Sequence, residues 1–129
     1  MASAQNQFMG GESILTSNNS ITTVISRADI PESSSGQCLI RASARRVSDG
    51  ASKHWQFVCS FKRDGGDVVI TSSANLLSAF GDTFDLAALV SCSTTVDASG
   101  SDIRVRVTGL ASTNILWAAF MDGFYVYDV

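Results

Sequence analysis

The 129-residue sequence is poor in the features that mark many functional classes. It has one histidine, one proline and three cysteines, and its net charge is -3. No apolar run approaches the roughly 20 residues that cross a bilayer, and the first seven residues lack the basic and apolar regions of a secretory signal. No run of like charges provides the concentrated basic face that a dedicated nucleic-acid binder needs. These absences predict a soluble protein, made in the cytoplasm, that binds neither nucleic acid nor membrane.

Motifs that carry chemistry are also absent. There is no nucleophile elbow, phosphate-binding loop, zinc-protease motif or dinucleotide fingerprint. The single histidine, His54, is expected to be structural or exposed, because a catalytic triad needs a serine and a carboxylate brought to it by the fold. Asp64 and Asp67 flank two glycines, where calcium is conceivable, but turn residues are the favoured interpretation. The sequence predicts no catalytic residue, metal site or cofactor, and therefore no enzyme.

The cysteines and arginines also have simple interpretations. Cys38, Cys59 and Cys92 lie in apolar runs without a CxxC or Cys/His spacing, so buried, reduced thiols are expected instead of a disulfide or a zinc site. The arginines could converge in space, but solvated strand faces are the favoured interpretation. That set comprises Arg41, Arg45, Arg46, Arg104 and Arg106.

Period-two alternation is the strongest positive signal. In residues 102–108, Ile103, Val105 and Val107 fall on one face and polar side chains on the other, which is typical of a half-buried strand. Further strands are predicted at residues 21–25, 38–47, 54–63, 68–71, 115–121 and 123–129. Residues 76–80 fit a strand or a helical turn, and a strand is favoured over residues 85–94. Seven to nine short strands predict an all-β, antiparallel two-sheet β-sandwich, jelly-roll or Ig-like.

The N-terminal segment differs in composition from the rest of the chain. Residues 1–19 are small and polar, so they are predicted to be an extended arm that becomes ordered against a neighbour, leaving residues 20–129 as the sandwich. Such an arm would be dispensable for folding. Its apolar side chains and the aromatic C-terminus are predicted to bind partner proteins, with Tyr125 and Tyr127 as a wet contact surface. The predicted partner-binding residues are Phe8, Met9, Ile14, Leu15, Phe124, Tyr125 and Tyr127.

The aromatic residues leave two possibilities open. They could line a sugar-binding groove, or they could form the core. The core is favoured because Trp55 and Trp117 lie on the inward faces of predicted strands, where each would bury on the order of 200 Å². The remaining aromatic residues considered for such a groove are Phe57, Phe61, Phe80, Phe84, Phe120, Phe124, Tyr125 and Tyr127.

Several motifs give the chain a resemblance to small β-sandwich proteins and domains of tailed-phage virions. The C-terminal part of the pattern is residues 103–109 (IRVRVTG) followed by residues 115–120 (ILWAAF). The upstream part is residues 41–45 (RASAR), 54–57 (HWQF) and 61–66 (FKRDGG), so that the resemblance covers about 80 residues. Members of this group are attached to capsids, tail fibres or tailspikes, commonly as trimers, and act by assembly.

The resemblance implies a non-enzymatic virion protein. The short arm favours a homotrimeric capsid decoration, or cement, protein, whose partner would be the major capsid protein or another virion protein. The alternative is a receptor- or carbohydrate-binding module of a tail fibre or tailspike. An enzyme is the third possibility.

Overall fold

The computed structural model describes residues 3–76, 89 and 91–128, which form two antiparallel β-sheets. The first sheet has five strands in the order β1-β8-β3-β4-β5, and the second has three in the order β2-β7-β6. The predicted all-β, two-sheet antiparallel sandwich is confirmed. Among these residues, no helix is long and apolar enough to cross a membrane. The strands are β1 (Ser3–Thr16), β2 (Ile21–Arg27), β3 (Ser34–Arg46), β4 (Ser52–Arg63), β5 (Val69–Asn75), β6 (Ser93–Ser99), β7 (Asp102–Thr108) and β8 (Ile115–Asp128).

The core lies between the two sheets and follows the alternation of the sequence. Strand β7 buries Ile103, Val105 and Val107, as its period-two pattern predicts. The indole rings of Trp55 and Trp117 stack with their centroids 5.6 Å apart, and both side chains are buried. The prediction that these two tryptophans belong to the core is confirmed.

The segment predicted as an arm is an integral strand over residues 3–16. Strand β1 pairs with β8 along its whole length, from Ser3 opposite Asp128 to Thr16 opposite Ile115. Thr16 is buried, and its Oγ1 accepts a hydrogen bond of 2.8 Å from Nε1 of Trp117. The segment thus becomes ordered against β8 of its own chain, because β8 offers it a complete ladder. That it also lies across another molecule stays a prediction.

The last strand and the region before β6 differ from the sequence-based boundaries. Two strands are predicted after residue 114, but the structure has one, β8. Gly123 lies inside it, where any side chain would collide with the ring of Phe8 and with Cys38. Strand β6 begins only at Ser93, after turn residues at Leu89 and Ser91. The predictions for residues 77–88 and 90, including the aromatic residues there, lie outside the described residues.

All three cysteines are buried and free, as predicted. Cys38 and Cys59 face each other across β3 and β4, with their sulfur atoms 2.9 Å apart. The hydrogen bond to Cys59 and burial both raise the pKa of the Cys38 thiol, since a thiolate is poorly solvated there. Burial also raises the pKa of Cys92. The thiols of Cys38 and Cys92 are therefore poor nucleophiles.

Candidate functional site

The five-stranded sheet has an inner face covered by the second sheet and an outer face that no described element covers. Exposed apolar side chains collect on this outer face. Of the ten large hydrophobic side chains found exposed among the described residues, seven belong to it by strand register. Concentration of exposed apolar groups on one face marks an interaction surface. The seven are Met9, Leu15, Val58, Val69, Leu116, Phe124 and Val126.

A groove crosses this outer face at right angles to the strands. Its floor is a row of small side chains, Ser13, Ala118 and Ser43, which are neighbours on β1, β8 and β3. His54 of β4 ends the row, opposite Ser43. Two depressions of about 590 and 630 Å³ share Ser13, Ser43 and Ala118, so they form one continuous groove.

Larger side chains form the two walls of the groove. One wall contains Phe120 and Arg41, and the other contains Leu116, Leu15 and Arg45. These residues precede or follow the floor residues by two positions on the same strands, so they point to the same side of the sheet. The groove therefore combines apolar walls with polar ends.

Phe120 stands between a glycine and an arginine. A Cβ atom at Gly11 would come within 3.2 Å of the Phe120 ring, so the glycine gives the ring room to lie over β1. On the other side, the guanidinium carbon of Arg41 lies 5.2 Å from the ring centroid. Such a cation–π contact orients the guanidinium without occupying its N–H donors.

The charges of the groove are unusual for this chain. Five of the seven arginines form ion pairs with carboxylates, whereas Arg41 and Arg45 form none with the described residues. Glu12, the acidic residue that lines the groove, is engaged by Arg27 at 2.8 Å. The exposed walls therefore carry positive charge on a chain whose net charge is -3. The ion-paired arginines are Arg27, Arg46, Arg63, Arg104 and Arg106.

The hairpin turn between β3 and β4 lies next to the groove wall that contains Arg45. Arg46 holds Asp49 through two hydrogen bonds, and these bonds lower the pKa of Asp49 to about 2. Arg45 folds over Gly50 and donates to its carbonyl oxygen at 3.4 Å, which is long for a hydrogen bond. The guanidinium of Arg45 thus keeps most of its donor capacity.

Ser43 and His54 form the polar pair on the groove floor. The Ser43 Oγ and His54 Nδ1 atoms lie 2.8 Å apart, and both side chains are exposed. No described carboxylate hydrogen-bonds to His54, and the backbone N–H groups nearby belong to strands with paired ladders. A catalytic triad would need an orienting carboxylate and free oxyanion donors. The pair is instead well placed to hydrogen-bond a bound ligand.

The predicted partner-binding residues divide between the two faces. Met9, Leu15 and Phe124 are exposed on the outer face. Phe8, Ile14 and Tyr127 are half-buried on the inner face, and their role in partner binding stays a prediction. Tyr125 was expected to offer a wet surface, and this expectation is wrong. Its side chain is buried against Phe8, and its hydroxyl accepts a hydrogen bond of 3.1 Å from Asn6.

Other candidate features lie elsewhere. Asp64 and Asp67 lie at the turn between β4 and β5, and the described residues contain no group of three acidic, histidine or cysteine side chains that could hold a metal ion. Of the aromatic residues considered for a sugar groove, Phe61 is buried while Phe120 and Phe124 reach the outer face. Sequence reasoning missed the row formed by Ser13, Ala118, Ser43 and His54.

Comparisons with known proteins give distant structural neighbours that include two phage tailspike proteins. No protein-family model matches the chain, and no curated protein matches it in sequence. A tailspike protein of Acinetobacter baumannii bacteriophage Fri1, a capsular polysaccharide depolymerase, is similar at 10% identity and a TM-score of 0.45, over 93% of this chain and 17% of that one. The tailspike protein of Acinetobacter phage vB_ApiP_P1 is similar at 13% identity and a TM-score of 0.34, over 91% and 21%.

These findings correct one expectation and leave another without support. The sequence predicts that the protein is not an enzyme, whereas the first neighbour is a capsular polysaccharide depolymerase, which is an enzyme. That expectation is contradicted and is not retained. Both neighbours are phage tailspike proteins, in agreement with the resemblance to phage structural proteins, and neither is a capsid decoration protein.

Proposed function

We propose that this chain is a saccharide-binding module of a phage virion, of the tailspike or tail-fibre type. The observation that carries the proposal is the groove across the outer face, with its small-residue floor between Phe120 and Leu116. Saccharides present apolar C–H faces and a rim of hydroxyl groups. Concave sites for such ligands combine apolar walls with a few polar groups that fix orientation.

The polar groups on the groove floor match this chemistry. Ser43 and His54 are exposed and already hydrogen-bonded to each other, so each retains capacity for a hydroxyl group of a ligand. The floor lies on four adjacent strands of one sheet, β1, β8, β3 and β4, which gives it a rigid base. A rigid site limits the ordering entropy that binding costs.

The remaining apolar part of the outer face has a structural role in this proposal. Met9, Phe124 and Val126 lie on β1 and β8, toward the end of the sheet away from the groove. Burial of such side chains favours association with other subunits or virion proteins. The homotrimer that the sequence resemblance implies stays a prediction, and this region is the surface that we expect it to bury.

Binding to a panel of purified bacterial capsular polysaccharides, measured by biolayer interferometry on the full chain, tests the proposal. Ala118→Phe fills the floor of the groove with a ring, and we expect it to weaken binding about tenfold or more. Ala74→Phe is the matched control, since Ala74 is an exposed alanine of the same sheet that lies outside the groove.

Comparison of Ala118→Phe with Ala74→Phe decides whether the groove is the binding site. Thermal melting first establishes that both variants fold like the natural chain. If no polysaccharide binds the natural chain, or if Ala118→Phe binds as tightly as Ala74→Phe, the groove is not a saccharide site.

A further inference from the structure

We infer that the groove takes a carboxylate-bearing saccharide, an inference that rests on the function proposed above. Its basis is the distribution of ion pairs, which is independent of the shape of the groove. Arg41 and Arg45 are the two arginines without a carboxylate partner among the described residues, and both lie on the walls of the groove. Unpaired guanidinium groups at a concave site indicate an anionic ligand.

The two arginines are placed to act on one ligand group. Arg41, Ser43 and Arg45 alternate along β3 and point to the same side, so each arginine lies roughly 7 Å along the strand from Ser43. Each arginine lines the groove together with Ser43, so a carboxylate held above Ser43 has one arginine on either side of it. Because a guanidinium presents parallel N–H donors, it can bind a carboxylate through two hydrogen bonds.

Each guanidinium is held by something other than a carboxylate. Arg41 rests over the ring of Phe120, and Arg45 bends over the backbone of Gly50. These contacts restrict the side chains but leave donors free, so less conformational entropy is lost when a ligand binds. Glu12 does not compete for Arg41 or Arg45, since Arg27 already binds its carboxylate.

The form of the groove favours an acidic saccharide over an acidic peptide. A peptide that adds to a sheet uses an unpaired strand edge, whereas this groove runs over the face of the sheet, across the ladders that join β1, β8, β3 and β4. The floor instead offers a flat row of small side chains beside an aromatic ring and hydroxyl or imidazole groups. A sugar ring fits this arrangement, with its carboxylate toward Arg41 and Arg45.

Chemical reduction of the ligand provides the test. Each capsular polysaccharide that binds the full chain is compared with its carboxyl-reduced form, in which uronic acids have become neutral sugars. We expect reduction to weaken binding about tenfold, and Arg41→Gln or Arg45→Gln to have a similar effect on the native polymer. Binding should also weaken as the salt concentration rises.

Lys62→Gln is the matched control. Lys62 is an exposed base on the same face of β4, eight residues from His54 and thus roughly 26 Å along the strand, and it forms no described ion pair. We expect Lys62→Gln to bind like the natural chain. If it weakens binding as much as Arg41→Gln does, the effect is one of total charge and the inference is wrong.

Two further outcomes separate this inference from the proposed function. If native and carboxyl-reduced polymers bind equally in a manner that Ala118→Phe abolishes, the groove binds saccharides but does not select acidic ones. If poly-L-glutamate binds as tightly as an acidic polysaccharide at equal charge, the ligand is an acidic polypeptide and the inference is overturned.

Discussion

The outer faces of the two sheets have the same alternating pattern but differ in whether their arginines form ion pairs. On the three-stranded sheet, Arg104 binds Asp97 through hydrogen bonds of 2.7 and 2.9 Å, and Arg106 approaches the same carboxylate. On the five-stranded sheet, Arg41 and Arg45 have no described carboxylate partner. The first surface pairs its arginines with a carboxylate of its own, whereas the second leaves basic and apolar groups available to a ligand.

Deletion of β1 should disrupt the five-stranded sheet and its groove more than any other change considered. A chain that begins at residue 17 loses the strand that pairs with β8 and supplies part of the groove floor. It also exposes a long strand edge and leaves the N–H of Trp117 without its acceptor. We expect this truncated chain to aggregate or to lack a cooperative thermal transition in circular dichroism.

The control for that deletion is a chain lacking only residues 1 and 2, which precede β1. It should melt like the natural protein. A soluble chain of residues 17–129 with an unchanged melting temperature would instead restore the dispensable arm that the sequence analysis predicts.

Two threonine substitutions compare a buried hydrogen-bond acceptor on the five-stranded sheet with an exposed hydroxyl group on the three-stranded sheet. Thr16→Val removes the buried acceptor of the Trp117 N–H, and leaving such a donor unsatisfied costs about 1–3 kcal/mol of the free energy of unfolding. Thr23→Val makes the same change on the exposed side of β2 and should alter stability by less than about 0.5 kcal/mol. Denaturation by urea measures both, and equal effects would contradict the role assigned to Thr16.

Substitution of Arg104 or Arg41 should change stability less than the deletion of β1 or the Thr16→Val substitution does. Arg104→Gln removes a two-bond ion pair, in which the hydrogen bonds with Asp97 raise the pKa of Arg104. We expect a small decrease in melting temperature, as for other surface ion pairs. Arg41→Gln removes no described ion pair and should leave the melting temperature unchanged by differential scanning fluorimetry. A larger loss from Arg41→Gln than from Arg104→Gln would refute this contrast between the two faces.

Local patterns predict much of the fold. The alternation of residues 102–108 matches β7 at both ends, and the inward positions of Trp55 and Trp117 follow from the same rule. Strand β1 could not be recognised in this way. Its inward positions are mostly polar residues or glycine, so they show no apolar alternation, and its stability comes from pairing with β8 at the opposite end of the chain. Long-range pairing of this kind has no local signature.

The groove was beyond prediction for a similar reason. Sequence alternation places Arg41, Ser43 and Arg45 on one side of their strand, so part of the signal is present. The floor, however, exists only because the strand register aligns Ser13 with Ala118 and Ala118 with Ser43. A shift of one residue in either pairing would send the partner's side chains to the other face.

The pairing of Ser3 with Asp128 also has a mechanical consequence. Both ends of the described chain leave the sandwich at the same corner, on neighbouring strands. A pulling force applied between these ends would open the ladder of β1 and β8 one pair after another, as a zipper opens. A force applied between residue 3 and the far end of β8 would load all of those pairs together in shear. The direction from which this module is held therefore decides how much tension it withstands.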